Sequence, residues 1–280
     1  MKRNGGVAAA RVLLALPVAA MIGIGSAAAD FDAGWAAYQR GEFRNAMTEW
    51  EKASAQGDSR ADYNLGILYS EGRGVEIDHA KAAEFWTRAA EKGNADAMHN
   101  MALAYLTGDG VAQSHDQAVA WLAKASEAGS IRSAYALGKM YEFGLGVDKN
   151  QDQAASYIQT AADMGFVRAQ YNMGKRFRDG NGVGKDPAAA AKWFVAAAQQ
   201  GYPQAQRNAG VRLFTGEGIE ENRVQGLMYL ILAARSGVES AEGLRDSFAG
   251  EASMDELEEA EEMADAWQPT PGLGVAGGAN

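Results

Sequence analysis

Apolar positions along the chain fall into short stripes at helical spacing. Ala61, Leu65, Leu68 and Tyr69 share one face of a first helix, and Ala82, Phe85, Trp86 and Ala89 share one face of a second, since residues three and four apart lie on the same side of a 3.6-residue turn. The pair then recurs. Ala61, Ala97, Ser133, Ala169, Ala205 and Ala241 stand 36 residues apart without slippage. Gly72, Gly108, Gly144, Gly180 and Gly216 keep the same register, as do Gly74, Gly110, Gly146, Gly182 and Gly218, each of these followed by Val75, Val111, Val147, Val183 or Ile219. A lone two-helix unit cannot bury its apolar stripes, so successive copies must stack. The pattern therefore predicts an all-α fold, an α-solenoid of two-helix repeats with a 36-residue period.

Local chemistry marks the boundaries within each repeat. Four residues past the second loop glycine stand Asp78, Ser114, Asn150, Asp186 and Asn222, residue types whose side-chain oxygens accept from the free N–H groups at a helix start. Gln117, Gln153 and Gln225 follow three residues on as capping-box partners, and Pro187 takes the first helical position, where its missing N–H is no loss. The second helix is expected to stop at Gly93, Gly129, Gly165, Gly201 and Gly237. Inside the first helix Gly66, Gly138, Gly174 and Gly210, with Ala102 in the same column, would each cost ~1 kcal/mol against alanine where the residue is glycine, and close helix packing is the expected compensation. Tyr69, Tyr105, Tyr141 and Phe177 on first helices, with Phe85, Trp121, Tyr157, Trp193 and Tyr229 on second helices, read as core columns rather than a ligand-stacking box.

The run Ala61-Asp62-Tyr63-Asn64-Leu65-Gly66-Ile67-Leu68-Tyr69-Ser70-Glu71-Gly72-Arg73-Gly74-Val75 resembles the Sel-one-like repeat (SLR) family of the tetratricopeptide-repeat superfamily, whose pattern is A-x-Y-x-L-G-x-x-Y-x-x-G-x-G-V. The resemblance covers residues 61–240 as five repeats, 61–96, 97–132, 133–168, 169–204 and 205–240. It implies a right-handed superhelix whose first helices line a concave face, and a role as an adaptor in protein complexes, in bacteria often tied to envelope signalling or host contact. The ends depart from the pattern. Residues 30–60 keep Trp35, Tyr38, Ala46, Trp50 and Gly57 but have a shorter turn, as in an ordinary tetratricopeptide repeat. Residues 241–267 read as capping helices, the second acidic with Leu257, Ala260, Met263, Ala264 and Trp267 on its apolar side, and 268–280 as a disordered tail.

Composition narrows the compartment and the partner. Lys2, Arg3 and Arg11 precede an apolar stretch from Val12 to Ile24 and then Ala27-Ala28-Ala29, the layout of a secretory leader. The stretch is short against the ~20 residues that span a bilayer, so residues 1–29 are expected to be cleaved and the mature chain to begin at Asp30, in the periplasm or outside the cell, without stable membrane insertion. Removal would take three basic groups and no acid, moving the formal charge from −10 to −13. With no Cys, neither disulfides nor thiolate metal sites are available. Nine acidic and no basic residues follow Arg245, and a polyanionic end argues against nucleic acid as partner.

Catalytic and cofactor chemistry finds little support, and no cofactor is expected. His79 and His115 recur at one repeat position without a third ligand, and His99 sits in the column of Tyr63, Tyr135 and Tyr171. Gly180 to Asp186 lacks the Ser or Thr that a phosphate loop carries after its Lys, and Asp148 to Gln159 lacks the central Gly and closing Glu of a calcium loop. The chain is therefore read as no enzyme, with an envelope hydrolase as the remote alternative. Binding is the stronger reading. Asn64, Asn100, Arg132, Lys139, Arg168, Asn172, Lys175 and Asn208 project from first helices, a basic, Asn-lined face suited to a protein or peptide bearing carboxylates. The alternatives are ordinary solvated charges on that face, a secreted effector using it on a host protein, and the chain's own acidic helix folding into it.

Overall fold

The computed structural model describes residues 19–271. Residues 1–18 of the expected leader and 272–280 of the expected tail lie outside them. The described residues hold fourteen helices and no strand, an all-α solenoid of repeats about 36 residues long, divided into two compact units between Arg88 and Ala89.

The first unit contains α1 (Ala19–Gln39), α2 (Phe43–Ala55), α3 (Ser59–Glu71) and the part of α4 (His79–Glu91) up to Arg88. Helix α1 runs unbroken through the expected cleavage point after Ala29. Its later turns pack on α2, where fully buried Trp50 lies over Gly34 so closely that a Cβ there would stand 2.4 Å from the indole. The Trp50 Nε1–H donates to the Phe31 carbonyl at 3.2 Å. Gly66 of α3 meets Trp86 of α4 in the same way, at 2.3 Å from a notional Cβ, and Tyr69 stacks on Phe85 at 5.6 Å. A polar link ties three helices of this unit together: fully buried Asp62 of α3 accepts from Ser54 Oγ of α2 at 2.7 Å and pairs with Arg88 Nη2 of α4 at 2.7 Å.

The second unit comprises α5 (Ala95–Thr107), α6 (His115–Glu127), α7 (Ile131–Phe143), α8 (Gln151–Asp163), α9 (Val167–Asp179), α10 (Pro187–Gln199), α11 (Pro203–Thr215), α12 (Arg223–Arg235), α13 (Ala241–Ala249) and α14 (Met254–Ala266). From α5 to α12 successive helices pack on one another. The helical glycines owe their place to second-helix side chains. A Cβ on Gly138 would lie 2.6 Å from Ile158, on Gly174 2.7 Å from Phe194, and on Gly210 2.8 Å from Leu230. Where the first helix carries Ala102, the facing column holds Leu122. Close packing thus replaces what these glycines lose in helix propensity.

The loops repeat one construction. Gly108, Gly144, Gly180 and Gly216 end their helices in the left-handed conformation. The second glycine answers a different need, as Gly182 shows: besides a φ of +69°, a Cβ there would lie 2.0 Å from the Gln151 carbonyl oxygen at the start of α8. The loop then closes by a backbone bond from the capping residue to the first helix, Asn150 N–H to Tyr141 O at 2.9 Å and Asp186 N–H to Phe177 O at 3.0 Å. The expected caps form: Ser114, Asn150, Asp186 and Asn222 accept backbone N–H groups of their own helices. Gln117, Gln153 and Gln225 donate to them through the backbone. A reciprocal capping box forms instead between Ser253 and Glu256 at the start of α14. First helices have caps of their own in Asp58, Asn94 and Ser130, a local signal that the glycine register had overshadowed.

Helices α13 and α14 both pack on α12. Ala260 and Ala264 of α14 are buried in the cluster that holds Leu227, Tyr229 and Ile231, Arg223 pairs with Glu256 at 3.0 Å, and Arg235 with Asp265 at 2.8 Å. The remaining acids Asp255, Glu258, Glu259, Glu261 and Glu262 face solvent. Beyond α14 the Thr270 N–H donates to the Gln199 carbonyl at 2.8 Å, so the first residues of the expected tail lie against α10.

Candidate protein-binding face

The residues singled out on first helices differ in what they have left to offer. Asn64, on α3 of the first unit, is half-buried. In the second unit Arg132 at the start of α7 and Arg168 at the start of α9 are exposed, while Asn100, Lys139, Asn172 and Lys175 are half-buried. Asn172 Nδ2 already donates to the Tyr135 hydroxyl at 2.9 Å and to the Arg168 carbonyl at 2.8 Å. Asn208 is buried and donates to the Gln204 carbonyl at 2.7 Å. The asparagine column is therefore not a uniform row of free amides; two of its members brace their own helices.

The basic residues are similarly graded. Lys139 is ion-paired with Glu142 one turn on, and its ammonium lies 4.7 Å from the ring centre of Phe143. The Phe143 ring is 61% exposed, and Leu103 on α5 is 44% exposed. Two large apolar side chains on a face that otherwise carries Arg132, Arg168 and Lys175 give it the mixed apolar and cationic character of protein contact surfaces. Glu142 was not among the residues anticipated, nor were Arg176 and Arg212. The last two sit in a column otherwise filled by Leu68, Ala104 and Met140, and both are buried. The change from apolar to arginine within a core column is the signal that could have found them.

Among the described residues no group of three His, Asp or Glu side chains converges as a metal site. His79 and His115 are exposed at the first positions of α4 and α6. His99 is half-buried, its Nδ1 2.8 Å from Ser133 Oγ, and burial, followed by the charge of Arg132, holds its pKa below the ordinary imidazole value, with Asp96 opposing. The folded chain thus favours the neutral ring over the charged one. Below the ordinary value of about 6.5 the unfolded chain binds the proton more readily, so the stability that the neutral ring contributes is present above that pH and lost as pH falls from there through the folded value. Thermal unfolding across that window should show His99→Tyr, the residue of the same column in three other repeats, losing less stability than the native chain. Parallel profiles would remove His99 as the origin of the acid sensitivity.

Comparison with known proteins accords with this architecture. The Sel1 repeat family model matches five consecutive times, at residues 59–94, 95–130, 131–166, 167–202 and 203–238, with the period inferred from the sequence and each copy starting at the first residue of α3, α5, α7, α9 or α11. A search of curated proteins returned no match. Among solved structures, the chain is similar to c5321, a protective antigen of uropathogenic Escherichia coli with an SLR fold, at 28% identity and a TM-score of 0.75 over 87% of this chain. It spans 55% of that longer protein. It is also similar to a Sel1 repeat protein from Oxalobacter formigenes, at 28% identity and a TM-score of 0.71 over 85% of this chain and 100% of that one. With five matched repeats running through residues 59–238, the chain belongs to the Sel1 repeat family.

Proposed function

We propose that the protein is a non-catalytic adaptor or regulator of the bacterial envelope, exported by its leader and binding an acidic or carboxylate-bearing protein partner across the first-helix face of its second unit. Sel1 repeat proteins generally mediate protein–protein interaction, and their solenoids are typically non-catalytic scaffolds. The observation that carries the reading to this face is the exposure of Arg132 and Arg168 on α7 and α9 beside exposed Phe143. Apolar side chains there supply the desolvated contact, and the guanidinium groups supply steering and register toward carboxylates. The envelope location rests on Lys2, Arg3 and Arg11 ahead of the apolar stretch and on the small residues Ala27 to Ala29. Among the described residues no helix is long and apolar enough to cross a membrane. Cleavage before Asp30 would leave Phe31, Gly34 and Tyr38, the α1 residues that hold Trp50, in the mature chain.

The test is capture from envelope extract with the mature chain and with Arg132→Glu/Arg168→Glu, read by mass spectrometry, together with fractionation and N-terminal sequencing. Both arginines are exposed, so the double variant is expected to fold and to lose the native partner, with the native chain losing it as salt rises. Equal capture by both forms would refute the face as the binding site, and a cytoplasmic chain retaining Met1 would refute the envelope role. A second reading, a secreted effector, draws on the similarity to an E. coli protective antigen; recovery of the chain from the medium rather than the periplasm would favour it.

A further inference from the structure

One set of three positions is filled differently in successive repeats. In the earlier copy Glu142 pairs with Lys139 and places Oε1 3.2 Å from Nη2 of Arg176, a side chain only 4% exposed. A buried guanidinium and a lysine thus face one carboxylate, in an ion pair to which Arg176 Nη2 adds no hydrogen bond. The residues 36 positions on are Lys175, Arg178 and Arg212. Here the carboxylate has become a third cation, although Arg212 is just as buried, at 5% exposure.

Among the described residues the acid that Arg212 meets is Glu217 of the following loop, not one on α9. Arg212 Nε is buried without a hydrogen-bond partner. Its Nη1 reaches the Asn208 carbonyl at 3.5 Å, and its Nη2 meets Glu217, a half-exposed loop residue, at 3.3 Å. The guanidinium lies 5.0 Å from the Phe194 ring centre. Arg178 is held from the side by its neighbour Asp179 at 2.7 and 2.9 Å, and Arg207 Nε, on the same helix as Arg212, is also buried without a partner. Burial lowers the pKa of both Arg176 and Arg212. Glu142 opposes that shift at Arg176, whereas at Arg212 the charge of Arg178 adds to it and Glu217 and Asp179 oppose it. An unpaired donor on a buried cation is costly, and a ligand that supplies the acceptor recovers the difference.

We propose that Lys175, Arg178 and Arg212 form a carboxylate-binding seat between α9 and α11, filled by a carboxylate of a partner protein in the place that Glu142 occupies one repeat earlier. The chain's own use of a carboxylate at the equivalent position selects that chemistry over other anions, and a guanidinium fork beside an ammonium can hold both of its oxygens. The seat rests on the protein-binding reading above and specifies which group of the partner is recognised. That group is either an Asp or Glu side chain or a chain's C-terminal carboxylate.

Fluorescence anisotropy of the full chain with a labelled hexaglutamate peptide, as free acid and as C-terminal amide, tests the seat. The native chain should bind, and Arg178→Glu, which rebuilds the Lys–Glu–Arg arrangement of the preceding repeat, should weaken binding at least about tenfold while melting no lower than the native chain. Arg212→Gln, which removes the buried guanidinium by another route, should weaken it similarly. Equal binding of acid and amide assigns side-chain carboxylates, and preference for the acid assigns the chain terminus. Absence of binding to the native chain, unchanged binding to Arg178→Glu, or displacement by inorganic phosphate as readily as by peptide would each overturn the seat. Envelope capture separates it from the broader reading: a partner held equally by native and Arg178→Glu chains refutes the seat alone, whereas peptide binding without any captured partner refutes the adaptor role alone.

Discussion

Phe194→Ala should lower the stability of the second unit by ~4 kcal/mol, the usual cost of emptying a fully buried aromatic site. Phe194 is seated against Gly174 as Trp86 is against Gly66, with Tyr171 5.8 Å away between ring centres and the Arg212 guanidinium over its face. The reverse error, Gly174→Ala, should cost ~2 kcal/mol, because the new methyl would meet three ring carbons of Phe194 at 2.7 to 3.0 Å in a core with no slack. One repeat of the chain already combines an alanine with a leucine in these two columns, Ala102 with Leu122. Gly174→Ala/Phe194→Leu copies that pairing and should be more stable than the sum of its single changes implies. Urea unfolding of the native chain, Gly174→Ala, Phe194→Leu and the double variant gives the coupling. Strict additivity would mean that the helices shift apart to accept the methyl, and that the glycine column does not set their separation.

Arg88→Ala should cost ~3 kcal/mol, and more than Asp62→Asn, although both break the same pair. The asymmetry follows from burial. Asp62 is fully buried and Arg88 about half exposed, so loss of the arginine leaves a carboxylate in the interior with Ser54 among its remaining contacts, whereas loss of the carboxylate charge leaves a guanidinium that water can reach. Asp62→Asn keeps a side chain of the same shape and should cost about 1 kcal/mol. Thermal and urea unfolding of the two variants decide the matter. Equal costs, or the opposite order, would show that other contacts of Asp62 carry the carboxylate.

Most of the architecture was legible along the chain because the interactions that set it are local. Helical spacing in the apolar stripes, glycine where the backbone must turn left-handed, and Asp, Asn or Ser where a helix start exposes N–H groups are decided within a few residues. The 36-residue register then requires stacking, since one hairpin cannot cover its own stripe. The same locality says less about how the residues of the proposed face are engaged. Spacing on a helix puts Asn172, Lys139 and Asn208 on one side, but cannot tell that Asn172 reaches Tyr135, that Glu142 takes Lys139, or that Asn208 is buried.

Contacts between repeats join residues 34 to 37 apart, such as His99 with Ser133, Glu142 with Arg176 and Tyr135 with Asn172. They depend on how one helix pair is laid against the next. By itself, then, the sequence determined the period, the helices, the turns and the caps, because backbone sterics and hydrogen bonding act at short range. Tertiary structure alone decided which polar groups on the first helices brace the solenoid and which stay exposed, as Arg132 and Arg168 do. Stacking is what assigns Glu142 to Arg176 and brings the charge of Arg178 to bear on Arg212.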